Sequence, residues 1–119
     1  MKVSLTIANT YEPKCMGNPK LPKAERVVVS YRLMTAEQEE KYSTMYLQRG
    51  GDDDFGMTVE PHAVEIWTEC VTSVAGLEDE SGKALVTAKD VLKVPGIYEM
   101  VQEVAAVIKR GLSEEDLKN

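Results

Sequence analysis

The sequence predicts an α+β fold in which a short N-terminal antiparallel β-hairpin precedes a mainly α-helical body of three to four helices. Two observations support this prediction. Alternating and β-branched residues lie near the N-terminus, whereas apolar residues spaced by three and four recur through the rest of the chain. At 119 residues, the chain has the usual size of a single domain with one core.

The hairpin prediction rests on two segments within residues 1–34. In residues 2–7, Val3, Leu5 and Ile7 alternate with polar residues, which is the period of a half-buried strand. Residues 26–33, RVVVSYRL, are rich in β-branched and aromatic side chains, as strands are. The stretch between them contains Gly17 and three prolines, so it is predicted to be a long Pro-rich loop.

Residues 35–112 are predicted to form the helical body. Thr35 and Gln38 have the spacing of a capping box, which predicts a helix from residue 36 to about residue 48. A second helix is expected to open near Thr58 or Glu60, with Pro61 in its first turn. Its apolar stripe extends through Trp67 to Val74, and Gly76 is expected to end it.

The remaining elements follow the same rules. Residues 76–85 read as an acidic turn, and Thr87 is placed to cap a short helix over residues 88–93. Residues 96–110 keep Met100, Val101 and Val104 on one face and predict the last helix. Residues 113–119 form a charged tail.

Charge and targeting signals restrict the class of protein. The net charge is −6, with 14 Lys and Arg against 20 Asp and Glu, which disfavours binding to nucleic acids and to anionic membranes. The N-terminus has no apolar run of signal-peptide length, and no segment could span a bilayer. Cys15 and Cys70 lie in unrelated contexts, so both are expected to be reduced thiols in a cytoplasmic protein.

Motifs that carry chemistry are lacking in the sequence. His62 is the only histidine and has no neighbouring ligands at metal-binding spacing. Asp52–Asp53–Asp54 does not fit the ligand pattern of a calcium loop, and Cys70 falls on an apolar stripe typical of a core residue. No glycine-rich nucleotide-binding pattern is present. We therefore expect neither catalytic residues nor a metal or other cofactor.

Binding of another protein is the class that remains. Tyr42, Met45, Tyr46 and Met100 are adaptable contact residues of the type enriched at interfaces, and we name them as candidate partner-binding residues. The alternative is that these side chains fill the core. Apolar stripes of helices usually face the interior, which favours this alternative.

The second half of the chain has a Trp-containing helix, a turn of the form V-x-G-hydrophobic-x-D-E-x-G-x-x-L, a short capped helix and a final helix. The residues that form this pattern are Trp67, Val74, Gly76, Leu77, Asp79, Glu80, Gly82 and Leu85, followed by the terminal Lys118 and Asn119. In this order of elements and residues the chain resembles small tail assembly chaperones of long-tailed bacteriophages and prophages. The strand at residues 26–33 and Thr35–Gln38 agree loosely, whereas the Pro-rich loop at residues 13–22 has no counterpart.

The resemblance implies a bacterial cytoplasmic protein that keeps the tail tape-measure protein soluble during tail assembly, with tail-tube subunits as further partners. Two other functions remain open from the sequence. One is a phage structural protein, such as a tail-completion or connector protein, and the other is a stand-alone interaction or regulatory domain of a bacterium.

Overall fold

The computed structural model of the chain describes residues 1–3, 8–43 and 60–110. In these residues, a three-stranded antiparallel sheet combines with four helices, which confirms the α+β class. The strands are β1 (Ala8–Tyr11), β2 (Val28–Arg32) and β3 (Val71–Ala75). The helices are α1 (Ala36–Lys41), α2 (Ala63–Cys70), α3 (Ala88–Leu92) and α4 (Tyr98–Arg110).

The sheet has the order β1-β2-β3, so β2 is its central strand. Val29 of β2 pairs with Tyr11 of β1 on one side and with Val74 of β3 on the other. All three side chains are buried, because they form one row across the sheet and project from the same face into the core. β2 therefore connects the N-terminal strand to the middle of the chain.

The helical part of the core is built mainly by α2 and α4. The buried residues of α2 recur at the three- and four-residue spacing of one helix face, and those of α4 do the same. They are Ala63, Ile66, Trp67 and Cys70 in α2 and Met100, Val101, Val104, Ala105, Val107 and Ile108 in α4. The Trp67 side chain is fully buried, and its indole Nε1 donates a hydrogen bond to the Ala88 carbonyl oxygen at 2.8 Å.

The first strand of the described residues lies in a segment that the sequence predicts to be loop. β1 begins at Ala8, in the segment expected to be loop, while residues 1–3 have no regular structure and Val3 is exposed. Residues 4–7 of the predicted strand are outside the described residues. Pairing with β2 and burial of Tyr11 outweigh the modest strand propensity of Ala8–Tyr11.

The prediction of a simple N-terminal hairpin was wrong, because a third strand comes from the predicted second helix. That helix begins at Ala63, after Pro61, and ends at Cys70, and Val71 continues directly into β3. Val71 and Val74 remain buried as members of the sheet. A short apolar run is compatible with a buried strand as well as with a helix. Residues 71–75 form a strand here because they pair with the edge of β2 that β1 leaves free.

Other boundaries agree with the sequence. Thr35 and Gln38 form both hydrogen bonds of the capping box, and Thr87 caps α3. The last helix is present as α4. α1 ends at Lys41, before the predicted end near residue 48, and residues 44–48 of that prediction lie outside the described residues.

Candidate functional site

The structure places two of the four candidate partner-binding residues in the core. The Tyr42 side chain is 0% exposed and that of Met100 is 1% exposed, so neither presents a contact surface. For these two residues the structure agrees with the alternative that they fill the interior. Met45 and Tyr46 lie outside the described residues, and their role stays a prediction.

Tyr42 belongs to a polar cluster that fastens α1 to α2. Its hydroxyl donates to the Glu69 carboxylate, which also accepts from Gln38 Nε2 at 2.9 Å and from Lys41 Nζ at 3.4 Å. The hydrogen bond from Tyr42 lowers the pKa of Glu69, and burial raises the pKa of Tyr42. The cluster explains why an aromatic residue with a polar end occupies this core position.

The thiols are not poised for nucleophilic chemistry. Burial and the neighbouring Glu103 carboxylate raise the pKa of Cys15 to about 12, and burial raises the pKa of Cys70. Because the thiolate is the reactive form, both sulfur atoms are protonated and weakly nucleophilic at neutral pH. Cys70 is fully buried, as its position on the apolar stripe predicts. His62 is partly exposed and precedes α2, with Nδ1 3.5 Å from Glu65 Oε1.

An open cleft of about 600 Å³ lies between the turn at residues 77–85 and α3. Its walls carry four carboxylates and one ammonium group, that of Lys93, which lies 4.0 Å from Asp90 Oδ1, and its apolar surface comes from three side chains. The carboxylates belong to Glu78, Asp79, Glu80 and Asp90, and the apolar surface belongs to Leu85, Val94 and Pro95. We call this feature the acidic cleft. Its volume is in the range of pockets that hold a small ligand or a few side chains of a partner.

The turn that forms one wall of the acidic cleft is held in place by Asp79. Its Oδ1 atom accepts hydrogen bonds from the Ser81 amide at 2.9 Å, the Ser81 hydroxyl at 2.7 Å and the Lys83 amide at 2.9 Å. These bonds, with that from the Ser81 hydroxyl the largest contributor, lower the pKa of Asp79. Gly82 has φ +85°, which allows the chain to reverse between Glu78 and its bridge partner Ala84.

The sequence predicts an acidic turn at residues 76–85 and does not indicate a binding surface there. The acidic residues of the turn are evident in the sequence, whereas the apolar part of the cleft is formed by Leu85, Val94 and Pro95, which come from different segments. Their convergence depends on how α3 packs beside β3, and no spacing rule in the sequence reveals it. The cleft is therefore a product of tertiary structure.

Comparisons with protein-family models, curated proteins and solved structures found no match to this chain. Over residues 1–3, 8–43 and 60–110, no group of three or more His, Cys, Asp or Glu side chains is arranged to hold a metal ion. In the same ranges, none of the helices combines the length and the apolar character needed to cross a membrane.

Proposed function

We propose that this protein is a tail assembly chaperone that binds a segment of a phage tape-measure protein in the acidic cleft and keeps it soluble. One observation carries the proposal. Three of the residues that carry the resemblance to tail assembly chaperones, Asp79, Glu80 and Leu85, line the acidic cleft. The resemblance and the geometry thus point to the same surface.

The chemistry of the acidic cleft suits a segment with both apolar and basic side chains. Leu85, Val94 and Pro95 offer apolar contact, and the surrounding carboxylates attract Lys or Arg at the edge of the bound segment. A client without fixed structure loses entropy when it is ordered, so micromolar affinity for each segment is expected. Several copies bound along a long client would still keep it soluble through avidity.

The test is co-expression of the protein with the tape-measure protein encoded near it, scoring the soluble fraction of the client. Glu78→Lys with Glu80→Lys reverses two exposed charges at the acidic cleft for which no side-chain hydrogen bond or ion pair is seen in the described residues. We expect this variant to fold and to leave the client insoluble. Glu39→Lys with Glu40→Lys makes the same charge change at exposed positions of α1 and is expected to act as wild type.

Two outcomes would contradict the proposal. If the wild-type protein leaves the solubility of the client unchanged, the chaperone function is wrong. If the client stays soluble with the Glu78→Lys and Glu80→Lys variant, the client binds elsewhere on the protein. Circular dichroism of both variants establishes that a loss of function does not come from unfolding.

A further inference from the structure

The loop of residues 12–27 is held in place by hydrogen bonds of two side chains, Asn18 and Glu103. Asn18 is buried, donates from Nδ2 to the Pro13 and Val27 carbonyl oxygens, and accepts from the Val27 amide at 2.7 Å. Glu103 of α4 accepts from the amides of Lys14 at 2.6 Å and Cys15 at 3.0 Å. The loop is therefore a built part of the fold, although it contains only two short 3-10 turns.

This fixed loop holds apolar side chains out in solvent. Met16 is 56% exposed and Leu21 is 40% exposed, on either side of the 3-10 turn at Asn18–Lys20. Met16 also has φ +57°, a conformation that costs a non-glycine residue energy and is uncommon for it. Exposed apolar groups on a rigid support are typical of contact surfaces, because little conformational entropy is lost on binding.

The same loop is locally basic on an acidic protein. Lys14, Lys20 and Lys23 are exposed, and within the described part of the chain their ammonium groups form no ion pair. Of the two acidic residues in the loop, Glu12 pairs with Arg26 at 3.5 Å, and Glu25 is exposed. The loop thus differs in charge from the acidic cleft and from the chain as a whole.

We infer that the loop of residues 12–27 is a second docking surface, and that its partner is an acidic protein segment carrying apolar side chains. Met16 and Leu21 supply the apolar contact, and the three lysines select a partner of negative charge. The acidic cleft selects the opposite charge, so the two surfaces take different partners. The inference goes beyond the proposed function and does not depend on it, because it uses other residues.

A protein partner fits the loop better than a phosphate-bearing one. Affinity for nucleic acids or anionic lipids depends on neutralising many phosphates, and the chain as a whole, at net charge −6, repels them. Three exposed lysines and two exposed apolar side chains within one loop match a short segment that carries both acidic and apolar residues. We therefore commit to the protein segment.

The experiment measures binding of two fluorescent helical peptides to the full chain, one of Glu and Leu and one of Lys and Leu. Two double variants change the loop. One combines Lys20→Glu with Lys23→Glu, and the other combines Met16→Asn with Leu21→Ser. Asn is chosen at position 16 because it tolerates positive φ. Each loop variant is expected to weaken binding of the Glu/Leu peptide about tenfold or more and to retain the Lys/Leu peptide. Lys2→Glu with Lys89→Glu, at exposed lysines elsewhere, is the matched control and is expected to leave Glu/Leu binding unchanged.

Several outcomes would overturn the inference. The first would be that the Glu/Leu peptide binds the loop variants as tightly as it binds the wild type, or that it does not bind the wild type at about 1 mM. The second would be that vesicles containing phosphatidylserine bind the loop more tightly than the peptide does, which would make the partner a membrane. The third would be that the wild type self-associates through the loop, which would make the partner a second copy of the chain. Failure of the Lys/Leu peptide to bind the acidic cleft would instead count against the proposed function and leave this inference intact.

Discussion

At the scale of single residues, Gly76 is a position where both the backbone conformation and the neighbouring backbone disfavour any side chain. It joins β3 to the turn of the acidic cleft with φ +90°, and its Cα faces the backbone of residues 26 and 27. A Cβ atom at this position would lie 2.4 Å from the Arg26 carbonyl oxygen and 2.9 Å from the Val27 Cα. The sequence predicts a glycine that ends a helix here, but the structure uses the glycine for close approach of two chain segments.

Gly76→Ala is expected to lower the free energy of unfolding by at least about 2 kcal/mol, since it adds a backbone clash to an unfavourable φ. Gly82→Ala is the matched control, because Gly82 also has positive φ but no atom lies within 4 Å of the added Cβ. Gly82→Ala should lower the free energy of unfolding by about 1 kcal/mol. Urea denaturation of both variants measures the difference, and equal losses would show that β3 and Arg26 are not in contact at this point.

At the scale of secondary-structure elements, Trp67 joins three helices. It lies on α2, its indole bonds to the carbonyl oxygen of Ala88 in α3, and α4 packs against the same helix face. The core around it also includes Val101 and Val104 of α4, as predicted from the apolar stripes. The stripe was a reliable indicator of burial at Trp67 and Val74, although it assigned Val74 to the wrong type of element.

Trp67→Ala is expected to reduce the free energy of unfolding by about 3–5 kcal/mol, the usual cost of emptying an aromatic core site. Thermal unfolding must be followed by circular dichroism, because Trp67 is the single tryptophan and the variant loses its fluorescence. Tyr98→Ala, at an aromatic residue that is 55% exposed on α4, is the control and is expected to change stability little. A Trp67→Ala protein that melts within a few degrees of wild type would refute the burial of Trp67.

At the scale of the whole molecule, the first strand and the last helix are joined by one carboxylate. Tyr11 of β1 donates its hydroxyl hydrogen to Glu103 Oε2 at 2.5 Å, and the Lys14 amide donates to the same oxygen. Burial, and then the hydrogen bond to Glu103, raise the pKa of Tyr11. Contacts of this kind between distant segments make unfolding of the described core cooperative.

The raised pKa of Tyr11 gives a prediction at alkaline pH. The contribution of Tyr11 to the free energy of unfolding is fully present below the pKa of about 10 that it has in the unfolded chain. It is lost as the pH rises towards the folded pKa, because the Tyr11 hydroxyl ionises first in the unfolded chain. At neutral pH, Tyr11→Phe should be less stable than wild type by about 2 kcal/mol, through loss of a hydrogen bond to a charged group. That difference should shrink above pH 10.

Urea denaturation of wild type and Tyr11→Phe between pH 8 and about pH 11 provides the measurement. Tyr42, whose pKa is also raised, hydrogen-bonds to Glu69 and is present in both proteins, so it does not contribute to the difference between them. A difference in stability that stays constant over this range would mean that Tyr11 ionises equally in the folded and unfolded chains, and that its bond to Glu103 is not formed.

The sequence alone determined features that depend on neighbouring residues. The Thr35–Gln38 capping box, the Thr87 cap, the stripe of α4 and the burial of Trp67 each follow from spacings within a few turns of helix. It also indicated that β2 is a strand, because Val28, Val29 and Tyr31 suit a pleated and buried surface.

Tertiary structure decided the features that join distant segments. Val71–Ala75 form a strand because they pair with the second edge of β2. Ala8–Tyr11 form β1, and Tyr11 at its end hydrogen-bonds to Glu103. Tertiary structure also brought Leu85 and Val94 together in the acidic cleft, and it buried Tyr42 through its bond to Glu69. The physical reason is that local sequence sets propensity and periodicity, whereas burial and hydrogen-bond partners are set by residues far away in the chain.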